Sequence, residues 1–274
     1  MKILRYIAAI PLSLVLVAPA LAAKEEIVVN GSTTVLPVMQ KAAENFMAIN
    51  PDVTLSISGG GSGNGIKALT DGLCLVAMSS RDMKANETEL AKSKGVNPTR
   101  IPIAVDALVP IVHPSNGVAQ LSIAQLRDIY AGRIVNWKEV GGADKKIAVI
   151  SRDTSSGTYE TWDEKIMSKE RVAPSALLQA SNGAVVQAVS KNPNAVGYIG
   201  FGYRDKSVKG LDIGGQKATP ESALSGQWPI ARELYIFTNG EPKGAIKKLV
   251  DYLLDPQKGQ KAVLEVGFIP LPKK

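Results

Sequence analysis

Two hydrophobic periods alternate along this chain. Residues 26–30 (EIVVN) are a short apolar run of strand length, ended by the polar stretch Gly31-Ser32-Thr33-Thr34. From 35 to 49 apolar positions recur at helical spacing, and Asn50-Pro51 closes that helix. Residues 52–58 (DVTLSIS) alternate as a half-buried strand does. The glycine-rich stretch 59–65 reads as a turn, with a helix starting at Ile66. A strand over 73–78 ends at Ser79-Ser80-Arg81, and a polar helix follows near 86–94. The long apolar run 100–112 (RIPIAVDALVPIV) predicts a strand that passes from one domain into another. Ser122 caps a helix reaching about Ala131. Strands at 146–150 and 195–199 alternate with helices from about 158 to 167 and over 182–191. Residues 231–237 (ARELYIF) predict a second crossing strand, and helices near 243–254 and 256–266 close the chain. Strand and helix in regular alternation predict an α/β fold with helices on both faces of its sheet.

The first 23 residues stand apart from this pattern. Lys2 and Arg5 precede an apolar run from Ile7 to Val17, and Ala20-Leu21-Ala22 supplies small residues where a signal peptidase reads. The run falls short of the about 20 residues a spanning helix needs, so it predicts a cleaved secretory signal peptide. Residues 1–23 would leave, and the remaining chain suits one large domain or two smaller ones.

Composition removes several classes of function. Cys74 is the only cysteine, which excludes an internal disulfide and a cysteine-based metal site, and its apolar neighbours predict a small buried residue. His113 is the only histidine, and no G-x-S-x-G elbow is present, so a Ser-His-Asp hydrolase is not supported. No G-x-x-x-x-G-K-[ST] string occurs, so the chain carries no nucleotide-hydrolysing P-loop. The G-x-G-x-G string at Gly61–Gly65 lacks the spacing of a dinucleotide fingerprint. The formal charge of +7 suits an anionic ligand, but the basic residues are scattered among few aromatics, unlike a nucleic-acid surface.

The informative feature is where clusters of Gly, Ser and Thr fall. Thr33-Thr34, Ser62-Gly63, Ser79-Ser80 and Ser155-Ser156-Gly157-Thr158 each follow an expected strand, and at least three open a helix. A helix N-terminus offers unpaired N–H groups and about half a positive charge, which favours an anion. Ligands of open α/β sheets sit outside the carboxyl ends of the strands. Any one cluster is explained by ordinary helix capping; four converging loops suit a small oxyanion. Arg152 lies at a strand end just before the Ser155–Thr158 cluster, where its planar fork of donors fits a tetrahedral oxyanion. Asp153 beside it is placed to orient the guanidinium.

Taken together, Gly31-Ser32-Thr33-Thr34, Gly60 to Gly65, Met78-Ser79-Ser80-Arg81, residues 126–137 (LRDIYAGRIVNW), residues 152–158 (RDTSSGT) and Gly267-Phe268-Ile269-Pro270-Leu271 resemble the phosphate-binding proteins of phosphate-specific ABC transporters. The resemblance spans nearly the whole mature chain. It implies a type II periplasmic binding-protein fold of two α/β lobes joined by two hinge crossover strands, near Val105 and Leu234. Residues 24–105 and 233–274 would form one lobe and 106–232 the other. By the same resemblance, Thr33, Thr34, Ser62, Ser80, Arg152, Ser156, Gly157 and Thr158 line the phosphate site, with Ser32, Gly63, Arg81 and Ser155 as secondary candidates. Ile129, Tyr130, Ile134 and Trp137 would pack the second lobe. Two positions depart from the pattern. The best-studied members carry an Asp where this chain has Ser80, and another two residues after the arginine, where Thr154 stands. Arg81 either touches the ligand or pairs with Asp82 or Glu87.

The expected function is therefore a soluble periplasmic receptor that captures inorganic phosphate between its lobes and hands it to the membrane permease, without enzymatic chemistry, cofactor or metal. It would act as a monomer. Rival readings are a receptor for sulfate, molybdate or tungstate, a phosphate sensor on the same fold, and a secreted phosphatase. The last lacks a nucleophile with its base and any His/Asp metal spacing.

Overall fold

A computed structural model describes residues 24–272; the expected signal peptide lies outside the described residues. Among the described residues, no helix is long and apolar enough to cross a membrane.

The chain opens with β1 (Glu25–Gly31), α1 (Leu36–Ile49), β2 (Val53–Gly59), α2 (Ser62–Thr70), β3 (Val76–Ser79) and α3 (Ala85–Ser93). β4 (Pro98–Val112) leads through β5 (Gln120–Leu121), α4 (Ile123–Tyr130) and β6 (Ala148–Arg152) to α5 (Gly157–Lys165). Next come β7 (Leu177–Gln179), α6 (Asn182–Ser190), β8 (Ala195–Gly200), β9 (Lys209–Gly210), β10 (Asp212–Ile213) and α7 (Pro220–Leu224). β11 (Ala231–Asn239), α8 (Gly244–Leu254) and α9 (Gly259–Glu265) complete it.

One sheet runs through the molecule in the order β2-β1-β3-β11-β4-β8-β6-β7, with β9 also on β4. β1 is parallel to β2 and to β3, as right-handed β-α-β units require. β4 is the spine. Its first two-thirds pair antiparallel with β11, from Pro98↔Asn239 to Ala107↔Ala231, and residues from Leu108 on pair with β8 instead. The register of β4 with β11 slips between Leu234 and Tyr235, a local irregularity in the second crossing strand.

The two largest clusters of buried side chains divide close to where β4 changes partner. One core gathers Ile27, Val29, Phe46, Ile103, Leu234, Ile236, Leu249 and Phe268. The other gathers Leu108, Val109, Ile111, Leu126, Ile129, Tyr130, Trp137, Trp162, Tyr198 and Trp228. Each lobe thus has its own interior, fed by opposite ends of one strand. Ile129, Tyr130 and Trp137 are fully buried in the second core and Ile134 packs against it, as expected. Buried indoles need a partner for the N–H; Trp137 donates to Asn194 O at 2.9 Å and Trp228 to Leu108 O at 2.9 Å.

Two expectations are corrected. The glycine run 59–65 is not simply a turn, because α2 begins inside it at Ser62. Close packing explains the glycines: a Cβ on Gly65 would lie 2.5 Å from Gly31 Cα and 2.6 Å from Asn30 O. The strand expected over 73–78 starts only at Val76, since Leu73 and Leu75 are exposed and only Cys74 between them is buried. The two- and three-residue strands β5, β7, β9 and β10 are too short to leave a period in the sequence.

Candidate functional site

Five strand-to-helix connections, following β1, β2, β3, β6 and β7, meet where the two lobes face one another. At the end of β1, Gly31 takes φ +138° with the carbonyl oxygen of Met78 2.1 Å from where a Cβ would sit, so no other residue fits. Ser32 then folds the chain back, its Oγ accepting from the N–H of Thr34 at 3.1 Å and of Val35 at 3.4 Å. That employment makes Ser32 a turn former, and it presents Thr33 and Thr34 to the cleft. After β2 and β3, Ser62 and Ser80 come together: Ser80 N donates to Ser62 Oγ at 3.0 Å, and the two hydroxyls are 3.2 Å apart.

The second lobe supplies the opposite wall. Ser156 caps α5 by accepting from Tyr159 N at 3.2 Å, which holds Gly157 and Thr158 in the first turn. Thr158 Oγ1 lies 2.8 Å from Thr34 Oγ1, so hydroxyls from the two lobes touch. Gly157 abuts the serines: a Cβ there would fall 2.4 Å from Ser62 Oγ and 2.6 Å from Ser80 Oγ. We expect Gly157→Ala to prop the lobes apart and weaken ligand binding about tenfold, the usual cost of overpacking, while the ligand-free protein melts at its normal temperature. Calorimetric titration beside a thermal melt checks this, and unchanged affinity would mean the lobes do not close onto Gly157.

Arg152 ends β6 with 1% of its surface exposed. Its Nε donates to Gln179 O at 2.9 Å, and one terminal nitrogen, Nη2, donates to Ala180 O at 3.0 Å and Thr33 Oγ1 at 3.3 Å. Tyr198, stacked on Trp162 at 4.2 Å, accepts the backbone N–H of Arg152 at 3.2 Å. The other terminal nitrogen, Nη1, is buried and has no hydrogen-bond partner among the described residues. Burial lowers the guanidinium pKa, yet arginine stays protonated in proteins. Asp153 does little to offset that charge, its Oδ2 being 4.0 Å away while Oδ1 accepts from Ser155 N at 2.9 Å and from Ser155 Oγ. Asp153 therefore shapes the loop more than it orients Arg152.

Three further residues belong to this place and escaped the sequence reading. Asn182, fully buried at the start of α6, donates to Thr34 Oγ1 at 3.0 Å and Thr33 Oγ1 at 3.4 Å. Its signal was available: Ser181-Asn182-Gly183 is one more polar cluster between a strand and a helix. Arg232 on β11 and Asp106 on β4 form a buried ion pair on the two crossing strands, with Nη2 2.8 Å and Nε 3.1 Å from Oδ2. Nη2 of Arg232 also donates to Thr158 Oγ1 at 2.9 Å, and Nη1 to Gly157 O at 3.1 Å. No sequence spacing links residues 106 and 232; only the pairing of β4 with β11 does. Arg232 is neutralised by Asp106 at 2.8 Å, whereas the nearest carboxylate to Arg152, that of Asp153, stands 4.0 Å away and offsets its charge only in part. A buried unpaired charge costs several kcal/mol, which an anionic ligand would offset.

Arg81 sits at the mouth of the cleft. Its guanidinium makes two 2.7 Å contacts to the Glu87 carboxylate of its own lobe, and its Nε lies 2.7 Å from Glu160 on α5 of the other. Nearby, Gly63 N donates to Ser155 O at 3.0 Å and Ser155 Oγ to Gly60 O at 3.3 Å. Gly63, Arg81 and Ser155 thus join the rims of the lobes. Elsewhere, His113 is occupied in a local turn with Ser115, at 2.7 Å, and burial pushes the Cys74 thiol up to about 11.

Comparison with known proteins agrees with this architecture. Residues 17–257 match the PBP superfamily domain. The chain is 32% identical over 250 residues to the phosphate-binding protein PstS of Bacillus subtilis strain 168, covering 91% of this chain and 82% of that protein. It is 32% identical over 253 residues to PstS of Borreliella burgdorferi, covering 88% of each. Among solved structures, a putative phosphate ABC transporter substrate-binding protein with bound phosphate from Clostridium perfringens superposes with a TM-score of 0.85 at 34% identity, over 90% of this chain and 100% of that one. An ABC-type phosphate transport receptor from Vibrio cholerae gives 0.73 at 32% identity, over 90% and 100%. This chain belongs to the PBP superfamily and, within it, to the family of the PstS phosphate-binding proteins.

Proposed function

We propose that this protein captures inorganic phosphate between its lobes and delivers it to the permease of an ABC transporter; its relatives are named for phosphate binding and as a phosphate ABC transporter substrate-binding protein. The observation that carries the reading is Arg152. It is a buried cation whose nearest carboxylate is 4.0 Å away, with an unused donor, at a meeting point of loops and helix starts from both lobes. Donors would come from Thr33, Thr34, Ser62, Ser80 and Arg152, and from Ser156, Gly157 and Thr158 across the cleft. The division into 24–105 with 233–274, and 106–232, is supported by the split of the hydrophobic core, Val105 and Ile269 apart, with the hinge where β4 and β11 cross. Removal of the N-terminal signal would place the mature chain in the periplasm, where it works as a monomer.

Because both walls contribute donors, phosphate selects the joined arrangement of the lobes. Phosphate at a hundred times its dissociation constant is expected to add about 2.7 kcal/mol of stability. The scattering radius should fall in the same titration. A protein whose melting point and radius ignore phosphate would sink this reading.

A further inference from the structure

We propose that Asn182 is a positioning residue of the anion site: reaching across the cleft, its amide turns the hydroxyl protons of Thr33 directly, and of Thr158 through Thr34, toward the bound oxyanion. This role rests on the phosphate reading of the site and adds to it a residue that works from behind the groups facing the ligand.

Asn182 opens α6 and is fully buried. A short polar side chain at a helix start ordinarily serves the nearby backbone. That duty falls to Ser181, whose Oγ accepts from Ala184 N at 3.1 Å. The hydrogen bonds of the Asn182 side chain all go elsewhere. Gly200 N donates to its Oδ1 at 3.1 Å, and an N–H cannot accept, so the amide is fixed with its NH2 group facing the opposite lobe. There it donates to Thr34 Oγ1 at 3.0 Å and to Thr33 Oγ1 at 3.4 Å.

The direction of each hydroxyl follows from what it receives. Thr33 Oγ1 also receives Nη2 of Arg152 at 3.3 Å, so both its lone pairs are taken by groups that only donate, and its proton is left for a ligand. Thr34 Oγ1 receives Nη2 of Arg232 at 3.4 Å beside Asn182, and its proton therefore goes to Thr158 Oγ1, 2.8 Å away. Thr158 Oγ1 receives Arg232 as well, at 2.9 Å, and its own proton is left over in turn. Without the Asn182 amide, Thr33 and Thr34 each regain a lone pair. Thr34 can then accept from Thr158, whose proton turns back into the protein. The amide stands in one lobe and Thr33 and Thr34 in the other, so these protons are set only when the lobes meet. An anion held between them finds donors already aimed, which spares the cost of ordering them on binding.

The test compares Asn182→Ala in the natural chain and in a Thr33→Val, Thr158→Val background, where the hydroxyls it orients are gone. Affinity is read by calorimetric titration of ligand-stripped protein with inorganic phosphate at pH 8. We expect Asn182→Ala to weaken phosphate about ten- to hundredfold in the natural chain, as lost hydrogen bonds to a charged group do, and less than about threefold in the double-valine background. Equal weakening in both backgrounds would overturn the proposal, since Asn182 would then act without the threonines. Should the alanine variant fail to fold, Asn182→Asp keeps the shape and the bond from Gly200. Its carboxylate only accepts, so it draws the threonine protons inward. Its repulsion of phosphate is common to both backgrounds, so a loss at least about tenfold greater in the natural chain supports the role and an equal loss overturns it. A natural chain that ignores phosphate strikes the transport reading instead. Thermal melts of the same ligand-free variants then still decide the role of Asn182: the combined loss in melting temperature should fall about 3 °C short of the sum of the separate losses, and strictly additive losses would overturn it.

Discussion

Arg152→Ala weakens phosphate binding about ten- to hundredfold, the value of a lost hydrogen bond between charged groups, and leaves the fold intact. The two halves of that result belong together. Arg152 is held by Gln179 O, Ala180 O and Thr33 Oγ1, so its removal costs three modest contacts. It also relieves the ligand-free protein of a buried cation that no carboxylate approaches closer than 4.0 Å. The melting temperature of the ligand-free variant should therefore stay within about 5 °C of the parent, while calorimetric affinity drops. A variant that binds phosphate as before would remove Arg152 from the site. One that unfolds would make the arginine a structural residue.

Asp106→Ala gives the opposite signature. It strands Arg232, whose side chain is 8% exposed, and leaves Phe201 N–H without its acceptor. Breaking a buried pair from one side costs about 3–5 kcal/mol, or roughly 10 °C of melting temperature for a chain of this size. Replacing both partners, as in Asp106→Ala with Arg232→Met, should recover a good part of the loss because no bare charge remains. Thermal melts of the two single variants and the double variant provide the measurement. Additive losses would show that the pair is not coupled. The contrast with Arg152 separates a cation kept for the ligand from one kept for the fold.

The parts of this site legible in the sequence are those that announce themselves locally. Thr33, Ser62, Ser80 and Ser156–Thr158 stand between an apolar run and a helix, and Arg152 ends a strand beside such a cluster, so short-range pattern finds them. Ser32 and Asp153 share that setting, but their side chains are spent on the turns they form. Arg232 and Asp106 were invisible because each sits inside a strand whose neighbours look like ordinary β sequence, and only sheet order brings them together. Both crossing strands were readable from length and apolar content. The helical start at Ser62 was not, because glycines chosen for close approach look the same as glycines chosen for a turn. For Arg81 the sequence does not decide between ligand and rim, since it shows Glu87 but cannot show Glu160 arriving from the other lobe.

The route of the chain also sets an order of assembly. The middle segment meets its partners β6, β8 and α4 to α6 in one continuous stretch, so nearly all of its core, Ile269 apart, can close as soon as it has been made. The opening segment cannot. One edge of β3 and the first two-thirds of β4 both wait for β11, from the far end of the polypeptide, and Phe268 arrives later still. Domains usually fold in the order of synthesis; here the part made first is finished last. Until then it holds out an unpaired strand edge, the feature by which sheets join to one another. A chain cut short before Ala231 would thus fail in its first lobe, in a region whose own sequence is complete.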